Sequence, residues 1–123
     1  KHLRINWTEG EKHFRNCLLD FNKANNVAQW QWVAGCGADA APYFRIFNPI
    51  LQGEKFDKEG LYVKKWVPEL SKVPSKFIHK PWEMELKYQE AIKTIIGKDY
   101  PKPIVIHEKA RESALAAFQS LKK

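Results

Sequence analysis

Apolar residues recur at helical spacing along almost the whole chain, and that periodicity restricts the possible folds more than any other feature. Phe14, Cys17, Leu18 and Phe21 stand at i, i+3, i+4 and i+7, one apolar stripe on a helix surface. Thr8-Glu9-Gly10-Glu11 ahead of them fits a capping box, with Thr8 as N-cap and Glu11 reaching back. A second helix is predicted from Ala24 to Ala34, ended by Gly35-Cys36-Gly37 because glycine tolerates the positive φ of a helix stop. Asp57 can cap a helix from Lys58 to Trp66, and Pro68 stops it. Pro74-Ser75 opens a short piece that ends before Pro81. Met84, Tyr88, Ala91, Ile92, Ile95 and Ile96 make a further amphipathic helix closed by Gly97. Ala110, Ala114, Ala117, Phe118 and Leu121 share one face of the last helix. Between these, Asp39 to Pro49 reads as a turn-rich connector with a short helical piece, and Tyr100-Pro101-Lys102-Pro103 as an extended link. Only Ile104-Val105-Ile106 is strand-like, and it is too short to support a sheet. The predicted class is all-α.

With 123 residues the chain has room for one domain. Five Trp and seven Phe are enough to build a core, and packing is the ordinary use of such rings. Lys and Arg number 21 against 14 Asp and Glu, a net charge of +7. That balance attracts polyanions such as nucleic acid or an acidic membrane surface, and solubility alone is the plainer reading. No apolar run reaches the ~18–20 residues of a membrane span, and no signal peptide is visible. Cys17 and Cys36 form no CxxC pair, and His2, His13, His79 and His107 are scattered, so no metal site is expected and the thiols read as free. Lys1-His2-Leu3-Arg4-Ile5 reads like the tail of a helix already under way, as in a piece cut from a longer protein.

The segment Asn22 to Trp32 carries the densest chemistry. On one helix, Asn22, Asn26 and Trp30 fall at i, i+4 and i+8 and share a face if the helix begins early enough. Trp30 and Trp32 then project to nearly opposite sides. Asn25 and Asn26 beside a flat ring fit the polar edge of a ligand; they equally fit a loop or an N-cap.

Trp30-Gln31-Trp32-Val33-Ala34-Gly35-Cys36-Gly37-Ala38-Asp39-Ala40-Ala41-Pro42-Tyr43-Phe44-Arg45-Ile46-Phe47-Asn48-Pro49, followed by Gln52-Gly53-Glu54-Lys55-Phe56-Asp57, is similar to the signature region of photolyases and cryptochromes. Trp66-Val67-Pro68-Glu69-Leu70 and Tyr100-Pro101-Lys102-Pro103-Ile104-Val105 resemble later blocks of the same family. The match is long, ordered and nearly ungapped, closest to bacterial cyclobutane-dimer photolyases. It implies that residues 1–123 are the C-terminal part of an FAD-binding helical domain. The antenna-binding domain, with its own chromophore, and the first half of the FAD domain would precede Lys1.

The resemblance implies a light-driven lyase that repairs pyrimidine dimers in DNA with reduced FAD, cytoplasmic and monomeric as a full-length protein. Asp20, Phe21 and Asn22 match a segment that contacts FAD, with Asn22 where an aspartate is usual; a structural carboxylate is the other reading of Asp20. Asn26 matches the asparagine facing the flavin N5, where an amide can hydrogen-bond either redox form. Trp30 and Trp7 match the inner and middle members of an electron-transfer chain, although core packing would explain either ring taken alone. Trp32 matches the ring that lines the lesion cavity, and Arg45 a residue of the DNA-binding face. Lys55 fits a solvated surface lysine better than a DNA contact. Ile106 replaces the acidic residue usual before His107, a change expected to affect packing or capping. Two other readings are a cryptochrome-type blue-light receptor on the same scaffold and a helical DNA-binding module without flavin chemistry. A third is a structural remnant without activity. The fragment alone is expected to bind FAD weakly or not at all.

Overall fold

Three asparagines start three of the helices. In the computed structural model, which describes residues 1–38 and 44–121, Asn6 caps α1 (Trp7–Cys17), Asn22 caps α2 (Lys23–Ala34) and Asn48 caps α3 (Pro49–Phe56). In each case the side-chain oxygen accepts backbone N–H groups of the first turn, which have no partner inside the helix. Three further helices follow: α4 (Leu61–Trp66), α5 (Leu86–Ala91) and α6 (His107–Ser120). Short 3-10 turns cover Pro68–Leu70 and Pro81–Glu83. Among the described residues there is no strand, only an isolated bridge between Ile96 and Tyr100, so the class is all-α as expected. No described helix is long and apolar enough to cross a membrane.

The structure divides into two units: residues 1–46 with 105–123, and residues 47–104. In the first, α1 packs on α2, and Ala110 and Ala114 of α6 are buried. In the second, Leu70, Val73, Ile78, Met84 and Ile96 form the core. Most of that core comes from turns and loop segments, so it is held by packing across the unit and not by regular elements.

Several expectations change. Thr8 is not the N-cap of α1. Asn6, two residues earlier, accepts both the Thr8 N–H (3.1 Å) and the Thr8 hydroxyl (3.0 Å). Glu11 does not reach back either; it is buried inside the unit. Lys1 to Asn6 are not helical, and Arg4 sits at φ 52°. The stripe from Phe14 to Phe21 is cut short because α1 ends at Cys17, leaving Leu18 as its C-cap. The stop of α2 is as predicted: Gly35 has φ 81°, and its N–H returns to the last turn.

Pro49 opens a regular helix that connector chemistry concealed. Asn48 Oδ1 accepts the N–H groups of Ile50 (3.0 Å) and Leu51 (3.3 Å), and Pro49 takes the first helical position, where its missing N–H costs nothing. Asp39 to Tyr43, the first part of the predicted connector, lie outside the described residues. Asp57 does cap the next helix, but across a turn. Its carboxylate accepts from Tyr62 and Val63 (both 3.2 Å), so α4 starts at Leu61 and not at Lys58. Burial pushes the Asp57 carboxyl upward, yet the N–H groups of Tyr62 and Val63 and the nearby His79 outweigh this and hold it below the usual range.

The predicted helix from Met84 to Ile96 is only six residues long. Gln89 explains why. Its buried amide donates to the Met84 carbonyl (2.7 Å) and accepts the Ile96 N–H (2.9 Å). That bridge directs Met84 and Ile96 into one core from opposite ends, while Lys93 leaves the helix at φ 55°. The piece after Pro74 is a series of turns, and Leu121 lies beyond α6 and is largely exposed.

Candidate functional site

The α1–α2 pair sets the site through one glycine. A Cβ at Gly10 would lie 2.2 Å from the far edge of the Trp30 ring, so that ring rests directly on the α1 backbone. Phe14, one turn further along α1, meets Trp30 edge to face with centroids 5.1 Å apart. Trp7, at the start of α1, and Trp30 both line an apolar hollow of about 500 Å³. Phe44, stacked on Phe118 of α6 at 4.4 Å, forms another part of its wall. Lys1 stands at this hollow too, with its ammonium over the Phe44 ring and bonded to the Arg45 carbonyl. Burial, then the Arg45 charge, lowers the Lys1 pKa.

One turn before Trp30, Asn26 is 7% exposed and faces α1. Its amide nitrogen donates to the Glu11 carbonyl (2.9 Å) and to Glu11 Oε1 (3.2 Å). Glu11, itself 5% exposed, is held in turn by a two-point contact with Arg15, at 2.6 and 3.2 Å. A buried carboxylate needs such partners. The arrangement fixes which way the Asn26 carboxamide points, and no described residue donates to its oxygen. The sequence does not mark Glu11 or Gly10 as residues of a site. The i,i+4 pair of Glu11 and Arg15 is the available signal for the first, and nothing local marks the second.

The other predicted residues separate. Asn22 does not share a face with Asn26 and Trp30; its side chain turns onto the Asn25 N–H (3.0 Å) as the helix cap. Asp20 is exposed and Phe21 half-buried, both in the link before α2. Trp32 is 44% exposed, on the side of α2 away from Trp30, as the two-residue spacing requires. Neither Asn26 nor Trp32 lines the hollow of Trp7 and Trp30. Arg45 is exposed at the start of the described segment after residue 43. In the second unit Lys55 is exposed, with its ammonium over the Phe56 ring at 5.1 Å. No group of three or more metal-ligating side chains occurs among the described residues, and Cys17 and Cys36 are free.

The α1–α2 pair thus buries an oriented carboxamide one turn before Trp30, whose ring lines an apolar hollow with Trp7. Residues 1–120 match the family model described as the FAD binding domain of DNA photolyase, so the chain belongs to the DNA photolyase family. It is 58% identical, along its whole length, to the deoxyribodipyrimidine photo-lyase of Agrobacterium fabrum, of which it covers 26%. The structure superposes on a crystal structure of a bacterial class III photolyase from Agrobacterium tumefaciens with a TM-score of 0.91 and 58% identity, over 99% of this chain and 25% of that one. A cryptochrome from Synechocystis follows at TM-score 0.87 and 35% identity, over 94% of this chain and 24% of that one. The chain thus spans about a quarter of the length of these relatives.

Proposed function

We propose that this chain forms part of a light-dependent lyase that splits cyclobutane pyrimidine dimers in DNA, with FAD as its cofactor. The observation that carries this reading is the seat of Trp30: one easily oxidised ring pressed on α1, sharing a hollow with Trp7 at the start of the same helix. Reduced FAD, when bound, supplies the excited electron that opens the dimer and receives it back. The residues present fit such a group in part. Asn26 offers a fixed carboxamide whose oxygen no described residue occupies, while Asn22 spends its side chain on the helix cap and Asp20 is open to solvent.

Each residue then has one task. Asn26 holds a hydrogen-bonding edge toward the cofactor, and Glu11 positions Asn26. Trp30 and Trp7 pass an electron inward from the protein surface. Trp32 stacks on an extruded base, since bases inside a duplex are out of reach. Arg45 contacts phosphate and positions the strand without reading sequence. The full-length protein works in the cytoplasm as a monomer.

Light-dependent repair of dimer-containing DNA by the full-length protein is the direct test. In Trp32→Ala, affinity for the lesion should fall by about 1 kcal/mol, at the lower end of base stacking because the ring is partly open to solvent. That is a loss of roughly fivefold or more, with flavin content unchanged. Photoreduction without any repair would favour the cryptochrome-type reading. Salt-sensitive DNA binding with no preference for dimers would favour a flavin-free module. The 123-residue chain alone should bind FAD weakly, and a yellow preparation with stoichiometric flavin would contradict that.

A further inference from the structure

We infer that His2 and His107 form a proton-sensitive clasp that fastens the first turn of α6 to the opening segment of the chain. Nε2 of His2 and Nδ1 of His107 stand 2.9 Å apart, with ring centroids at 5.1 Å and planes tilted by 39°. Both rings are half-buried. A nitrogen-to-nitrogen bond needs one proton and one lone pair. The neutral pair meets that need, and so does the pair carrying one extra proton. With two extra protons, N–H faces N–H and two positive rings adjoin.

The first turn of α6 has little else to hold it. Its N-cap is Ile106, and no side chain caps the helix. Further along α6, Ala110 and Ala114 are buried, and Ala117 and Phe118 line the hollow shared with Trp7 and Trp30. Loosening the clasp therefore loosens a wall of that hollow. The inference rests on these contacts and stands whether or not the photochemical reading does.

The group facing His2 is His107 from α6; Lys1 turns its ammonium away onto Phe44 and the Arg45 carbonyl. On α6, Glu108 is the first-turn acid, and none of the ion pairs among the described residues engages either ring. Burial first, then His107, lower the His2 pKa. The folded form therefore holds its proton less readily than the unfolded chain does. The stability this contributes is complete above about pH 6.5, the ordinary histidine value, and is lost as pH falls through the lower folded value.

Imidazole nitrogen spectra of the full-length protein from about pH 8 to 4.5, with amide exchange in α6 corrected for intrinsic rates, test the clasp. His2 should titrate below an unstructured peptide reference. Exchange of the Ala110 N–H, which is bonded to the Ile106 carbonyl, and of the α6 amides after it should rise by about tenfold for each pH unit of that depression. In His107→Asn, whose amide bonds without titrating, the melting temperature should depend less on pH between about 6.5 and 5. His2→Asn replaces it if that variant does not fold, and the wild-type titration stands by itself. Ordinary titration of His2, or α6 exchange indifferent to pH down to about 5, overturns the inference.

Discussion

Gly10→Val should destabilise the chain by about 2–3 kcal/mol and drive the Trp30 ring from its seat. Two effects oppose each other. Glycine in a helix interior is a poor helix former, so any side chain there gains up to ~1 kcal/mol of propensity, less for valine than for alanine. Against that, a Cβ at this position would lie 2.2, 2.3 and 2.7 Å from three carbons of the Trp30 ring. No heavy atoms tolerate such distances, and two more methyl groups must also be housed. Overpacking of this kind costs about 1–3 kcal/mol. The edge-to-face contact of Trp30 with Phe14, about 0.5–1.5 kcal/mol, is lost as the ring swings out. The clash wins. Urea denaturation with tryptophan emission as the probe should show a lower midpoint and a red-shifted folded baseline. In the full-length protein, the proposed function has photoreduction fall although every tryptophan is present, because the ring would have left the position proposed for electron transfer. An unchanged midpoint and an unchanged baseline would mean that Trp30 is not held by α1. Glu9→Ala, on the exposed side of the same helix, serves as the control.

Asn26→Asp should cost about 3–4 kcal/mol at pH 7, and the loss should shrink on acidification. The substitution changes one atom, but that atom donates to the Glu11 carbonyl and to Glu11 Oε1 in a site only a few per cent exposed. An ionised aspartate in place of Asn26 would set two carboxylates at hydrogen-bond distance, with a single guanidinium, from Arg15, to serve both. Like charges so placed cannot both ionise, and one carboxyl of the pair retains its proton. Its folded pKa is raised above the unfolded value of about 4. The stability of the variant is therefore fully present below about pH 4 and is lost as pH rises through the raised value, at about 1.4 kcal/mol per unit. Stability measured from about pH 4 to pH 8 should fall with rising pH in the variant, across a range where the wild type does not share that trend. In the full-length protein the same change should alter the visible spectrum of bound flavin. Equal stability at neutral pH would show that the Asn26 nitrogen and Glu11 are not bonded.

What can be read from the chain in advance is mostly local. Gly35 stops α2 because the residue and its neighbours alone decide whether the chain can turn there. Asp57 is legible as a cap for the same reason, although its helix begins four residues later because Gly60 intervenes in a left-handed turn. Expectation and structure part where two local signals compete or where the deciding partner is distant. Both Asn6 and Thr8 can cap α1, and the amide wins by binding the threonine's own N–H and hydroxyl. The run from Met84 to Ile96 has the right period for a helix, yet a buried glutamine amide closes it into a loop, and a period cannot register such a bridge.

The candidate site is legible to the same extent. Spacing alone puts Trp30 and Trp32 on opposite sides of α2, and it cannot tell which will face α1. It places Asn22 and Asn26 on a shared face, whereas backbone N–H groups at the helix start claim Asn22 first. Glu11 and Gly10 escape notice because their significance lies fifteen and twenty residues away, on α2.

The amino-acid sequence by itself determined the helical class, the stops of α2 and α4, and the family, because these depend on short-range periodicity, on glycine and proline at helix ends and on long ordered motifs. The tertiary structure decided which glycine would make room for a ring, which carboxylate would orient Asn26, and which histidines would meet across 105 residues of chain. Those outcomes follow from close packing and from the need to satisfy every buried polar group, and both are properties of neighbours in space, which the order of residues does not list.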